Sequence, residues 1–142
     1  MKKAIALLLA LVMVFALCAC GGGDKGTADN GEKVVKIGVF EPASGDSGAG
    51  GKKEMLGMQY ANQETPTVEI GGETYKVELV YSDNGSDSAK AVSAASKLVN
   101  EKVSLVLGSY GSGVSIAASD TFKQAGIPAI GVTCTKIGRA HV

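Results

Sequence analysis

Apolar runs and polar, glycine-rich breaks alternate along the 142 residues at a regular rhythm. The run Val34-Val35-Lys36-Ile37-Gly38-Val39-Phe40 is short, rich in β-branched residues and bounded by Pro42 and Gly45, which predicts a buried strand. A glycine-rich loop is expected over Glu41–Gly51. A helix follows over Lys52–Gln63, where Met55, Met58, Gln59 and Asn62 recur at helical spacing. Thr67–Ile70 and Glu73–Tyr81 flank Gly71-Gly72 and predict a hairpin, with Tyr75, Val77, Leu79 and Tyr81 alternating. After a loop over Asp83–Ser86, a second helix is expected to start at a cap on Ser86 or Asp87 and to run to Asn100. Its apolar face would hold Ala91, Val92, Ala95, Leu98 and Val99. Val103–Gly108 predicts another strand, Gly111–Gln124 a third helix containing Ile116 and Phe122, and Ile127–Val132 the last strand.

Strands alternating with helices in this way imply an α/β fold with a mostly parallel sheet and helices on both faces. Val34 to Lys136 is long enough for one such core and too short for two. In open sheets of this class, ligands bind beyond the carboxyl ends of the strands. Those ends fall at Phe40–Gly51, Tyr81–Ser86, Gly108–Gly113 and Val132–Thr135.

The first residues follow a different logic. Lys2 and Lys3 precede the uncharged stretch Ile5–Leu17. At about 1.5 Å per residue this stretch reaches about 20 Å, short of the ~30 Å hydrocarbon core that a permanent anchor must cross. An export signal over residues 1–19 fits better. Leu17-Cys18-Ala19-Cys20 resembles the bacterial lipobox, although Cys18 stands where Ala or Ser is commoner, and makes Cys20 the expected lipidation site. Residues 20–33 contain no large apolar side chain, so they are expected to form a flexible tether. Cys134 is then the one remaining thiol, which excludes an intramolecular disulfide despite export.

Charge and motifs exclude several function classes. Fourteen basic residues balance 14 acidic ones, and loss of Lys2 and Lys3 with the signal leaves a net charge of about −2. No basic stripe offers nucleic acid a footing. Gly45-Asp46-Ser47-Gly48 matches the surroundings of a serine-protease nucleophile. The only histidine, however, is His141 near the end of the chain, and the α/β pattern is the wrong scaffold. Gly45–Lys53 nearly spells a phosphate loop, but Asp46 replaces a glycine and Lys53 the magnesium-binding Ser or Thr. Gly108, Gly111 and Gly113 miss the dinucleotide spacing. Neither CxxC nor HExxH occurs, so no metal or other cofactor is expected, and no enzyme chemistry is visible.

The ordered motifs resemble those of the branched-chain amino-acid-binding class of periplasmic binding proteins. They are the lipobox, the strand ending in Lys36-Ile37-Gly38-Val39-Phe40, Pro42-Ala43-Ser44-Gly45-Asp46, and Leu56-Gly57-Met58-Gln59-Tyr60-Ala61. Asp83-Asn84-Gly85-Ser86-Asp87, Gly108-Ser109-Tyr110-Gly111-Ser112-Gly113-Val114 and Ala125-Gly126-Ile127-Pro128-Ala129-Ile130 complete the series. The resemblance runs from Val34 to about Lys136 and implies the first lobe, residues 34–136, of a two-lobed clamp. Such a clamp delivers an amino acid to the permease of an ABC importer, from a lipid anchor on the outer face of the cell membrane. The same fold also serves as the ligand-sensing lobe of receptors and regulators.

By position, Ser112 matches the serine that holds the ligand α-carboxylate, at a helix start where free amides and the dipole favour an anion. Gly111 leads into that helix. Thr133 matches the residue that offers its carbonyl to the α-ammonium, and Thr135 the one that offers hydroxyl and amide. Where many members place an aromatic against the ligand side chain, this chain has Gly48-Ala49-Gly50-Gly51. Tyr110 either substitutes for it or packs locally. The family is more than twice this length, and its acidic partner for the ammonium lies in the second lobe. Ile137–Val142 departs from the family pattern. Its codons can be written ATC GGA AGA GCA CAC GTC, a common sequencing-adapter sequence, so a non-native tail is expected over residues 137–142.

Overall fold

The computed structural model describes residues 32–136. The expected export signal, Cys20, most of the tether, His141 and the 137–142 tail lie outside the described residues. Among the described residues, five strands and three helices follow one another. They are β1 (Val34–Glu41), α1 (Gly48–Glu64), β2 (Thr67–Ile70), β3 (Glu73–Asp83), α2 (Ser88–Asn100), β4 (Leu105–Leu107), α3 (Ser112–Gln124) and β5 (Ala129–Ile130). The sheet order is β2-β3-β1-β4-β5. β1 pairs in parallel with β3 and β4, and β4 with β5, while β2 is the antiparallel arm of the hairpin. The mostly parallel α/β sheet expected from the alternation is therefore present.

The central strand divides the molecule. Phe40 belongs to a buried cluster with Ala91, Ala94, Ala95 and Leu98 of α2, Val106 of β4, and Val114, Ala118 and Phe122 of α3. Phe40 and Phe122 meet edge to face, with ring centroids 5.5 Å apart and planes at 87°. Small alanines on α2 and α3 let the two helices approach closely over this face. Strand alternation turns Val39 and Glu41 to the opposite face, where α1 packs on β1 and β3. Helices cover both faces.

Several boundaries differ from the sequence expectation. α1 begins at Gly48, so the loop expected up to Gly51 is a helical turn from Gly48 on. Helix propensity argues against Gly-Ala-Gly-Gly, but close approach demands it: a Cβ on Gly51 would run into the carbonyl of Pro42 and lie 2.7 Å from its ring carbons. β3 continues to Asp83, two residues past Tyr81. Ala91, Ala95, Leu98 and Val99 lie on the packed face of α2 as expected, while Val92 is 48% exposed and Ala94 is buried in its stead. β4 and β5 are shorter than their apolar runs; Val103 is buried outside the ladder. Asp87, one of the two expected caps, accepts a hydrogen bond from the Ala89 amide at 2.7 Å. Gly71 and Gly72 both take positive φ, 62° and 82°, as a two-residue hairpin turn requires.

Candidate functional site

The carboxyl ends of β1, β3, β4 and β5 meet along one rim, as the parallel pairing dictates. Register places Glu41 beside Asp83 at the ends of β1 and β3. The Asp83 carboxylate accepts from the Ala43 amide (2.8 Å), the Ser44 hydroxyl (2.7 Å) and the Gly85 amide (2.8 Å). Burial pushes its pKa up, but the Ser44 hydroxyl and the amides of Gly85, Ala43 and Ser44 outweigh that and hold it below the ordinary range. Ser86 Oγ accepts from the Ser47 amide at 2.9 Å and donates to the Ser44 carbonyl at 3.2 Å. The protease-like and phosphate-loop-like segments are thus a tied structural loop running into α1.

Two buried side chains then join the strand ends to the turn after β4. Asn84, fully buried, donates to the Phe40 carbonyl (3.2 Å) and to Ser109 Oγ (2.9 Å), and accepts from the Ser86 amide (3.1 Å). Glu41, 1% exposed, accepts from the Tyr110 amide through Oε2 at 2.7 Å. Burial drives the Glu41 pKa up to about 8; the Tyr110 amide pulls it down, and nearby Glu54 of α1 raises it further. Sequence reading missed Glu41, Asn84 and Ser109. An acid that directly extends an apolar strand before Pro42 was the available signal for Glu41.

Ser112 is the first residue of α3, behind Gly111 at φ 117°, and no side chain caps the helix. The amides of its first turn therefore face the rim without a protein anion. Ser112 Oγ accepts from the Lys136 amide at 3.2 Å, which leaves its own proton free to donate. Ser115 Oγ, one turn on, lies 3.1 Å from Cys134 Sγ and accepts from the Ser109 amide at 3.3 Å. These contacts draw the segment carrying Thr133 and Thr135 across the start of α3, and both threonines are exposed there. Tyr110 is 40% exposed, and its ring lies over Gly50: a Cβ on Gly50 would come within 2.7 Å of it. All five candidate residues, Tyr110, Gly111, Ser112, Thr133 and Thr135, share the rim. Among the described residues no group of three or more His, Cys, Asp and Glu side chains could hold a metal ion.

The profile of the periplasmic binding protein family matches residues 34–140. The Leu/Ile/Val-binding protein homolog 2 of Brucella abortus is 33% identical over 116 residues, which are 82% of this chain and 29% of that protein. Among solved structures, the leucine-binding protein LivK of Thermotoga maritima superposes with a TM-score of 0.66 at 34% identity, covering 72% of this chain and 29% of that one. LivJ of Streptococcus pneumoniae, a branched-chain amino acid transporter substrate-binding protein solved with isoleucine, gives the same TM-score and identity over 75% of this chain and 30% of its own. The chain thus spans about three-tenths of the length of these relatives. With its sheet order, rim and family match in agreement, the chain belongs to the periplasmic binding protein family and has the type I fold.

Proposed function

We propose that this chain is the first lobe of a substrate-binding protein that captures an amino acid for an ABC importer. The observation that carries the reading is the uncapped start of α3 with Ser112 facing the 133–136 segment at the strand ends. An α-carboxylate seated there meets free amides, the positive end of the helix dipole and the Ser112 hydroxyl, all without a buried countercharge. In this reading the exposed Thr133 offers its carbonyl to the α-ammonium, and the exposed Thr135 its hydroxyl and amide to the polar end of the ligand. Gly111 leaves the approach to α3 unobstructed. Tyr110 provides one apolar wall, which substitutes for the aromatic missing from Gly48–Gly51. LivK is a leucine-binding protein and LivJ was solved with isoleucine, which favours a branched-chain or similar amino acid for this chain.

A clamp gains affinity by closing a second lobe over the ligand. One lobe offers two or three hydrogen bonds of about 1 kcal/mol each, up to ~3 where charge assists. Loss of ligand freedom costs several kcal/mol. Calorimetry with leucine, isoleucine and valine is expected to show micromolar or tighter binding by a full-length protein and millimolar or no binding by the 142-residue chain. Ser112→Ala in the full-length protein should weaken binding by about 1–3 kcal/mol. An unaffected Ser112→Ala protein would move the site elsewhere.

The proposal extends to export and lipid anchoring at Cys20. Labelling of cells with a fatty-acid probe should mark the wild-type chain and leave Cys20→Ala unmarked; equal labelling of both refutes the anchor.

A further inference from the structure

The face of the sheet under α1 carries a pair of acids for which ligand binding has so far required no role. Glu41 Oε1 and both carboxylate oxygens of Glu54 are sealed from solvent, and none has a hydrogen-bond donor. The ion pairs among the described residues are Lys33–Glu73, Lys36–Glu101 and Lys76–Glu32, and none reaches this site. The charged groups facing Glu41 can be named by element. β3 contributes its register partner Asp83, whose carboxylate is already engaged by Ala43, Ser44 and Gly85. α1 contributes Glu54, with Lys52 and Lys53 exposed on its surface. The turn after β4 contributes Tyr110 through its amide. α2 lies across the sheet, and its Lys90 lies against the Gly85 loop. Two adjacent carboxylates buried without a cation cannot both stay ionised.

We infer that Glu41 and Glu54 share one proton, and that this acid–carboxylate pair is the support positioning the Tyr110–Ser112 turn for its ligand. The inference rests on the reading that this turn binds the ligand. With the proton in place, Glu41 holds Glu54 through Oε1 and the Tyr110 amide through Oε2, so one side chain links α1 to the start of α3. Gly108 fits the same arrangement, because a Cβ there would lie 2.7 Å from Glu41 Oε1 and also strike the Phe40 carbonyl. When the proton leaves, two like charges face each other in a dry site, and the cheapest relief is to move α1 or the turn. The raised Glu41 pKa, about 8, sets where this happens. The sign follows from its direction. Between its ordinary value of 4.5 and about 8 the folded protein keeps a proton that the unfolded chain has released. Stability therefore falls as pH rises through that window and levels off above about 8.

The test uses the full-length protein and three readouts. Infrared spectroscopy should show a carboxylic-acid carbonyl band that titrates with a midpoint near pH 8, disappears in Glu41→Gln and moves to a lower midpoint in Glu54→Gln. The Tyr110 amide resonance should shift with the same midpoint in wild type and stay still in Glu41→Gln. Glutamine accepts from Tyr110 and donates to Glu54 without titrating, so that variant imitates the protonated pair. Amino-acid affinity should drop about tenfold from pH 7 to pH 9 in wild type, and stay within about twofold in Glu41→Gln. A missing acid band, or a Glu41→Gln binding profile parallel to wild type, overturns the inference. So does binding that is abolished by a chelator, which would assign the pair to a cation. If the band and the Tyr110 shift behave as described in a protein that binds no amino acid at any pH, the shared proton is supported and the proposed function is what fails.

Discussion

The two faces of the sheet solve different problems. On one, Phe40, Leu98, Val106 and Phe122 interlock under α2 and α3 with almost no exposed area. On the other, α1 buries only Gly48 and Gly51, while its Leu56 and Tyr60 are 63% and 65% exposed. An open groove of about 510 Å³ runs between its second half and Val77, Leu79 and Tyr81 of β3. The first face supplies apolar burial, the dominant favourable term in folding. The second supplies little of it, and it is the face that holds the unpaired acids beneath the rim. The lesson is a division of labour: packing density sits on the side away from the acids, and polar chemistry sits beneath the Tyr110–Ser112 turn.

Three substitutions sharpen that comparison. Phe122→Ala removes a ring from the dense face and should cost about 3–5 kcal/mol by denaturant unfolding. A loss below about 1 kcal/mol would mean that the two faces pack alike. Gly51→Ala tests a tight backbone contact on the looser face, since the new methyl meets Pro42 at its carbonyl and ring. A destabilisation of about 1–3 kcal/mol is expected, in spite of the better helix propensity of alanine. A gain in stability would show that α1 slides freely over β1. Leu56→Ala, on the exposed side of α1, should change stability by less than about 0.5 kcal/mol. A larger loss would reveal a partner surface covering that helix.

Each element of the fold is legible only as far as its signal reaches along the chain. β1, the Gly71-Gly72 hairpin and the Asp87 cap are written in neighbouring residues, and they stand as expected. The start of α1 was illegible because Gly48–Gly51 oppose a helix locally and are favoured there only by the nearness of Pro42, which is a tertiary fact. Val92 shows the same limit. Most of the apolar face of α2 was legible, but at its margin the small Ala94 packs in the cluster with Val114 and Ala118 of α3 while the larger Val92 stays outside. At the rim, Ser112 could be read from its place at a helix start. The pairing of Glu41 with the Tyr110 amide spans 69 residues and depends on strand register, so no local pattern announces it.

The last strand has a consequence for how the chain behaves at high concentration. β5 pairs with β4 through only two residues, and among the described residues its outer edge has no neighbour. Ile130 and Val132, at 57% and 47% exposure, sit on or beside that edge. Unpaired amides and carbonyls flanked by bare aliphatic side chains form a template on which another extended strand can add. The native means of blunting such an edge, a lysine or a proline directed outward, are missing from Ala129–Val132. Colloidal behaviour is thereby tied to topology: the 142-residue chain should self-associate edge to edge as it is concentrated, and a single lysine at position 130 should keep it dispersed.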